Sequence, residues 1–360
     1  MFKNSYDKFF PTPDFLKMPS FGLDISDESL KFIELVATKD GIKIGKYGEK
    51  KIPSGIVESG KIIDPKKMEE ILLVLKKEQK IKSVRVSLLE NQIYLFSVSL
   101  EKEGLTSVRE AIELSLEEHI PIPAPEAIFD YEILSETDTM LELQVAAIPE
   151  NVIDSYLTVF KDCNLTVHSF ELEPQAITRA IIKKGDVETY MIVDFGETRT
   201  GIFIVSRGIV MFTSTLEIGG SSLNNMIQKS FNVSFEEADK MKKEYGLQRN
   251  TVNRELFSVL LNSVSILRDE IVKHQLYWNT HKDEDGKSSP QIKKVLLCGG
   301  DSNLIGLAEY LSVSMKTTVE MANVWSNIAD TKYYVPEMSF KQALSFAAAL
   351  GLALGDFEDD

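Results

Sequence analysis

The stretch that most constrains the fold is MIVDFGETRTGIFI, Met191 to Ile204. An apolar run ends at Asp194, a short polar turn follows, and a second apolar run begins. Two such runs joined by so short a turn read as a buried β-hairpin. Gly196 has no side chain and tolerates a positive φ, so a phosphate can approach the backbone there. Thr198 and Thr200 add hydroxyls and amides on the same loop. Asp194, where the first strand ends, is placed to hold a hydrated Mg²⁺. A hairpin with a polar turn and no ligand satisfies the same pattern, so this stretch alone leaves both readings open.

The theme recurs. FGLDISDESLK, Phe21 to Lys31, places Asp24, then Ser26 and Ser29, ahead of Lys31 and a second apolar run. VLLCGGDSNLIG, Val295 to Gly306, is an apolar strand broken by Gly299-Gly300 and followed by Ser302 and a helix. Two aspartate hairpins about 170 positions apart, then a strand–Gly-Gly–helix unit, resemble the nucleotide site of the actin-like ATPase superfamily. That resemblance implies two hairpins gripping phosphates from two related halves, with Asp24 and Asp194 as the metal-side carboxylates and the Gly-Gly segment behind the nucleoside.

Composition is compatible with this. The 360 residues suffice for several subdomains with substantial cores. A net charge of −15 without a dense Lys/Arg block argues against nucleic acid as the main ligand. Cys163 and Cys298 sit in apolar settings and point to a reducing compartment without a disulfide framework. The four histidines show no metal-ligand spacing. No apolar run approaches the ~20 residues of a membrane span, and the N-terminus does not read as a signal peptide. The expected location is cytoplasmic.

In chain order, 1–20 carries prolines and aromatics and reads as a flexible leader. Strand, strand, strand, helix and strand follow, the helix opened by the Asp64 cap and Pro65. This is the ribonuclease-H-like half that actin-like proteins duplicate. Leu88 to Leu172 reads as a separate small α+β subdomain: a strand over Ile93 to Leu100, a helix capped by Ser107, two strands, and a helix from Asn151 to Phe160. A helix over Glu173 to Lys184 is expected to end at Gly185. After the central hairpin, Gly219-Gly220 opens a helix, which is punctuation or nucleotide contact. Ser234 caps the next helix, which carries Asp239 and Lys242. A long amphipathic helix spans Glu255 to Trp278. Ser339 caps a final helix running to Leu354, whose alanines and Gly351 permit close packing.

The position of the insert is that of FtsA and of the type IV pilus protein PilM; actin and the heat-shock chaperones carry theirs elsewhere. HIPIPAPEAIFDYEIL, His119 to Leu134, and the opening hairpin resemble the PilM family over about Phe21 to Gly355. The chain ends in an acidic GDFEDD rather than the amphipathic helix usual in FtsA. The expected fold class is therefore α/β, an actin-like duplicated fold with an FtsA/PilM-type insert. Its parts are 21–87 with 173–187 and 339–356, the insert 88–172, 188–220 with 291–338, and a helical subdomain 221–290. The resemblance implies an ATP- and Mg²⁺-binding cytoplasmic adaptor. It would dock the cytoplasmic tail of a PilN-like inner-membrane protein in a groove lined by parts of Ile81 to Leu100 and Cys163 to Pro174. In the relatives an acidic residue and a lysine reach the nucleoside; Asp239 and Lys242 match them, with aspartate where glutamate is usual. Contact with pilus motor ATPases and self-association stay open. No glutamine or glutamate is assignable by spacing to position an attacking water, so slow or absent hydrolysis is expected. An FtsA-like filament protein, or a small-molecule kinase of the same fold, is the alternative.

Overall fold

The computed structural model describes residues 19–39, 41–89, 93–248, 253–280, 288–328 and 334–357. Most of the expected leader, most of the polar 281–290 stretch and the last three residues lie outside them.

The chain opens with β1 (Phe21–Ile25), β2 (Ser29–Thr38) and β3 (Gly41–Lys51), then a short ribbon of β4 (Val57–Glu58) and β5 (Lys61–Ile62). Helix α1 (Pro65–Gln79) starts where the Asp64 side chain accepts the Lys67 amide, and β6 (Ser83–Leu88) follows. Next come β7 (Tyr94–Glu101), α2 (Val108–His119), β8 (Ala127–Glu136), β9 (Met140–Pro149), α3 (Glu150–Asp162), β10 (Thr166–Leu172) and α4 (Glu173–Ile181). The later part runs β11 (Thr189–Phe195), β12 (Thr200–Ser206), β13 (Ile209–Leu216), α5 (Gly220–Phe231), α6 (Phe235–Tyr245), α7 (Arg254–Thr280), β14 (Lys294–Cys298), α8 (Leu307–Met315), β15 (Val319–Met321), α9 (Phe340–Ala343) and α10 (Ala347–Leu354).

Two five-stranded sheets share one plan. The first has the order β10-β6-β1-β2-β3 and the second β13-β12-β11-β14-β15. In each, an antiparallel three-strand meander continues into two parallel strands. The expected duplication is thus present at the level of strand order. β11 and β14 are buried almost throughout, which explains their unbroken apolar runs.

A third sheet, β7-β9-β8, forms the insert, with α2 covering one face through Ile112 and Leu116. The expected insert, 88–172, runs too far. β10 pairs in parallel with β6, and α3 packs on α1 with Tyr156 and Phe160 in the core of the first half. The separate layer therefore spans β7 through β9.

The expected helix to Lys184 also stops early. After Ile181 the backbone turns extended, and Asn327 satisfies the freed groups. Its Nδ2 donates to the carbonyls of Arg179 and Ile182, and its Oδ1 accepts the Lys184 amide. The final helix is interrupted by a tight turn over Leu344–Phe346. All eight residues of α10 are buried between β1 and α4. Two glycines make that possible: a Cβ on Gly22 would lie 1.8 Å from the Ala349 carbonyl oxygen, and one on Gly351 would lie 1.6 Å from that of Ala176. Among the described residues no helix is long and apolar enough to cross a membrane.

Candidate functional site

The two aspartate hairpins face each other across a cleft of about 720 Å³ between the halves, within the usual size of a small-molecule site. Asp24, Ser26, Ser29 and Lys31 line it from the first hairpin, Asp194, Gly196 and Thr198 from the second, Asp239 and Lys242 from α6, and Gly299 and Gly300 from the end of β14. In the first hairpin the Ser26 hydroxyl accepts the Ser29 amide, and Lys31 Nζ donates to Ser29 Oγ at 2.8 Å. Lys31 pairs with Asp24 in the β1–β2 register, so the ammonium and the carboxylate project from neighbouring strands on the same face. Asp24 is held by the Ser87 hydroxyl, which donates at 2.7 Å.

Gly299 has φ +88°, and a Cβ there would meet Asp194 Oδ1 at 2.5 Å. Glycine is thus required both for the turn and to leave Asp194 its place. Four expected contacts do not reach the cleft. The Thr200 hydroxyl donates to the Ile218 carbonyl at 2.6 Å, and the Ser302 hydroxyl donates to the Cys298 carbonyl. The Gly220 amide is taken by the Gly196 carbonyl, and a Cβ on Gly219 would meet the Glu197 carbonyl oxygen at 2.4 Å. Thr200, Gly219 and Gly220 brace the hairpin against the start of α5, and Ser302 closes the turn after β14.

Lys242 lines the cleft but is already paired. Its ammonium bonds Asp301 Oδ1 at 2.6 Å and the Gly220 carbonyl at 3.2 Å, with Asp239 at 3.5 Å. It ties α6 to the turn after β14. Lys242→Ala should therefore lower the thermal midpoint of the ligand-free protein, because it leaves Asp301 beside Glu197 without its cation; roughly 3 kcal/mol is the scale for a broken buried pair. A variant as stable as wild type, but with weaker nucleotide binding, would assign the lysine to the ligand instead.

Sequence spacing missed several lining groups. Arg199 reaches Asp27 at 3.8 Å and joins the two hairpins directly. Glu28 and Glu197 flank the same mouth. Burial, Glu28 and Asp301 hold the Glu197 carboxyl above the usual range. Glu173, the first residue of α4, also lines the cleft. Arg199 was inside the quoted hairpin, and Asp301 directly follows the Gly-Gly pair. Their sign of charge was visible; their partners, far away in the chain, were not.

Burial and the facing Asp24 carboxylate push the Asp194 carboxyl up to about 6, against the pull of Lys31, Arg199 and the Cys298 thiol. The unfolded value is ~3.9, so folding takes up a proton between those limits. Stability contributed at low pH is then lost as pH rises through about 6. The thermal midpoint of the metal-free protein should fall between about pH 4 and 6.5 from this group, and Asp194→Asn should shrink that fall. A variant with the full wild-type pH response would contradict the assignment. Two carboxylates that disfavour joint ionisation fit a site that receives a cation. Among the described residues no group of three or more His, Cys, Asp or Glu forms a protein cage. The pair suits a hydrated ion that also takes phosphate oxygens.

The model of the type IV pilus assembly protein PilM family matches residues 22–357. The chain belongs to that family. The match decides the choice left open by sequence between the PilM family, FtsA-like filament proteins and kinases. Among solved structures, the chain is similar to a PilM–PilN type IV pilus biogenesis complex at 21% identity and TM-score 0.78, covering 95% of this chain and 99% of that one. It is also similar to MreB5 of Spiroplasma citri bound to ADP, at 13% identity and TM-score 0.57, covering 95% and 96%. A third is the ethanolamine utilization protein EutJ from Carboxydothermus hydrogenoformans, at 16% identity and TM-score 0.56, covering 95% and 91%. These likenesses show the actin-like ATPase fold of this PilM family member.

Proposed function

We propose that this chain is the adaptor of a type IV pilus inner-membrane assembly complex. It binds Mg-ATP in the cleft between its halves. It docks the cytoplasmic tail of a PilN-like single-span protein in a second groove, and so works in the cytoplasm at the inner membrane through that partner. Bound Mg²⁺ would neutralise phosphate charge against Asp24 and Asp194, while Lys31 and the amides of the two turns hold phosphate oxygens.

The observation that carries the docking reading is the groove itself. It measures about 520 Å³ and lies between the insert and the first half, lined among others by Leu88, Ile93, Leu95, Ile128, Phe170 and Leu172. β10 is the edge strand of the first sheet, so its outer backbone groups border this groove. An extended apolar segment can fill such pockets while pairing with such an edge. β10 runs straight into α4, whose Glu173 and Pro174 line the nucleotide cleft and whose Gln175 and Arg179 line the groove. One rigid element therefore touches both sites.

The sequence-based ground for slow turnover is removed, since Glu28, Glu173 and Glu197 all line the cleft. Phosphate release from wild type and Glu173→Gln measures directly whether a water is positioned there.

The test of the adaptor reading is calorimetric titration of synthetic N-terminal tails from the neighbouring single-span membrane proteins. One tail should bind with an affinity of order micromolar, about −8 kcal/mol. Ala146→Trp, which fills the groove, should abolish binding while nucleotide affinity persists. An intact protein that ignores every such tail would refute the reading.

A further inference from the structure

The sheet of the insert has two faces. Leu143, Val145 and Ala147 of β9 are buried against α2. The alternate residues turn the other way, toward the body of the protein. Gln144 is among them and is 4% exposed. Its Nε2 donates to the Val210 carbonyl at 2.5 Å. Val210 belongs to β13, in the second half. One side chain thus joins the insert to the half that carries the second phosphate hairpin.

The orientation of this carboxamide is fixed by chemistry. A carbonyl only accepts, so the NH₂ must face Val210 and the oxygen must face away. That Oε1 is buried, and no described residue donates to it. Buried polar atoms are rarely left so, because desolvation is then uncompensated. Gln144 also lines the groove assigned above to the membrane-protein tail, beside Ala146 and Ile148. An extended segment lying there brings backbone N–H groups, one per residue, to the groove wall that Gln144 helps form.

We infer that Gln144 is a recognition residue of the groove: its Oε1 accepts an N–H of the docked tail while its Nε2 holds β13, so that tail docking and the seating of the second half on the insert are linked. This rests on the docking reading. Once the tail fixes the carboxamide, the bond to Val210 is fixed too, and β13 continues through β12 to the hairpin of Asp194. The coupling runs through one two-ended hydrogen-bonding group, and thermodynamic linkage makes it reciprocal.

The experiment compares wild type with Gln144→Met, an apolar replacement of similar length. The synthetic tail is titrated into both. Amide exchange is then followed over residues 207–212 with and without tail. A cooperative thermal transition and Mg-ATP binding show that the variant is folded. Wild type should bind the tail about tenfold more tightly, the scale of one buried hydrogen bond. Adding tail should slow exchange over residues 207–212 in wild type and leave it unchanged in the variant. A variant that binds the tail as well as wild type overturns the inference and leaves the docking reading intact. So does one that still transmits the exchange response. If wild type binds no tail, the docking reading falls and the inference with it.

Discussion

Replacing Gly351 by alanine should strongly destabilise the folded protein. The added Cβ would sit 1.6 Å from the Ala176 carbonyl oxygen and 2.3 Å from its carbon. Both are backbone atoms of α4, so no side chain can swing away. α10 cannot retreat either, because its opposite side rests on β1, where the Ala349 carbonyl already fills the space of a Gly22 Cβ. Overpacking in a core costs roughly 1–3 kcal/mol when side chains can adjust, and more when backbones must separate. About 4 kcal/mol is expected here, a large share of the 5–15 kcal/mol that typically holds a domain together. Thermal unfolding checks this. A Gly351→Ala protein within about 1 kcal/mol of wild type would show that the helix is not wedged as described. The same contact bears on the cleft between the halves, since Ala347 and Ala348 at the start of α10 line it.

Asp194→Ala should weaken Mg-nucleotide binding by at least about tenfold, the effect of losing one charge-assisted contact to the ion's shell. Its stability without ligand should not fall with it. The carboxyl is raised in the folded state by burial and by Asp24, so ionised Asp194 opposes folding at neutral pH. Asp24→Ala should cost similar affinity, and some stability as well, because the Ser87 hydroxyl loses its acceptor. Calorimetry with Mg-ATP, alongside melting without it, separates the two effects. Unchanged affinity in both variants would end the phosphate-site assignment.

Local features of this fold were readable from sequence because their causes are local. Asp64, Ser107, Ser234 and Ser339 each accept an amide three residues on, as their spacing predicts. The hairpins of Asp24 and Asp194 pair as expected because their apolar runs are interrupted by a single polar turn. Features set by distant partners were not readable. β10 belongs to the first sheet only because it meets β6, about 80 positions earlier, in parallel. Its residues alone resemble any half-buried strand. α4 ends where Asn327 reaches it, which made Gly185 a false stop. The hydroxyls of Thr200 and Ser302 suited phosphate by residue type, yet backbone carbonyls hold them. Lys242 was found through the family resemblance, and its bond to Asp301 could not have been.

The most direct test of the adaptor reading is where a bound tail protects the backbone. Hydrogen exchange would be followed over the whole chain while the tail peptide is titrated in. Protection is expected along the free edge of β10, Thr166–Leu172, and at the facing positions of β7 and β9, with the nucleotide hairpins responding less. Protection confined to other surfaces, with β10 exchanging as before, would contradict it.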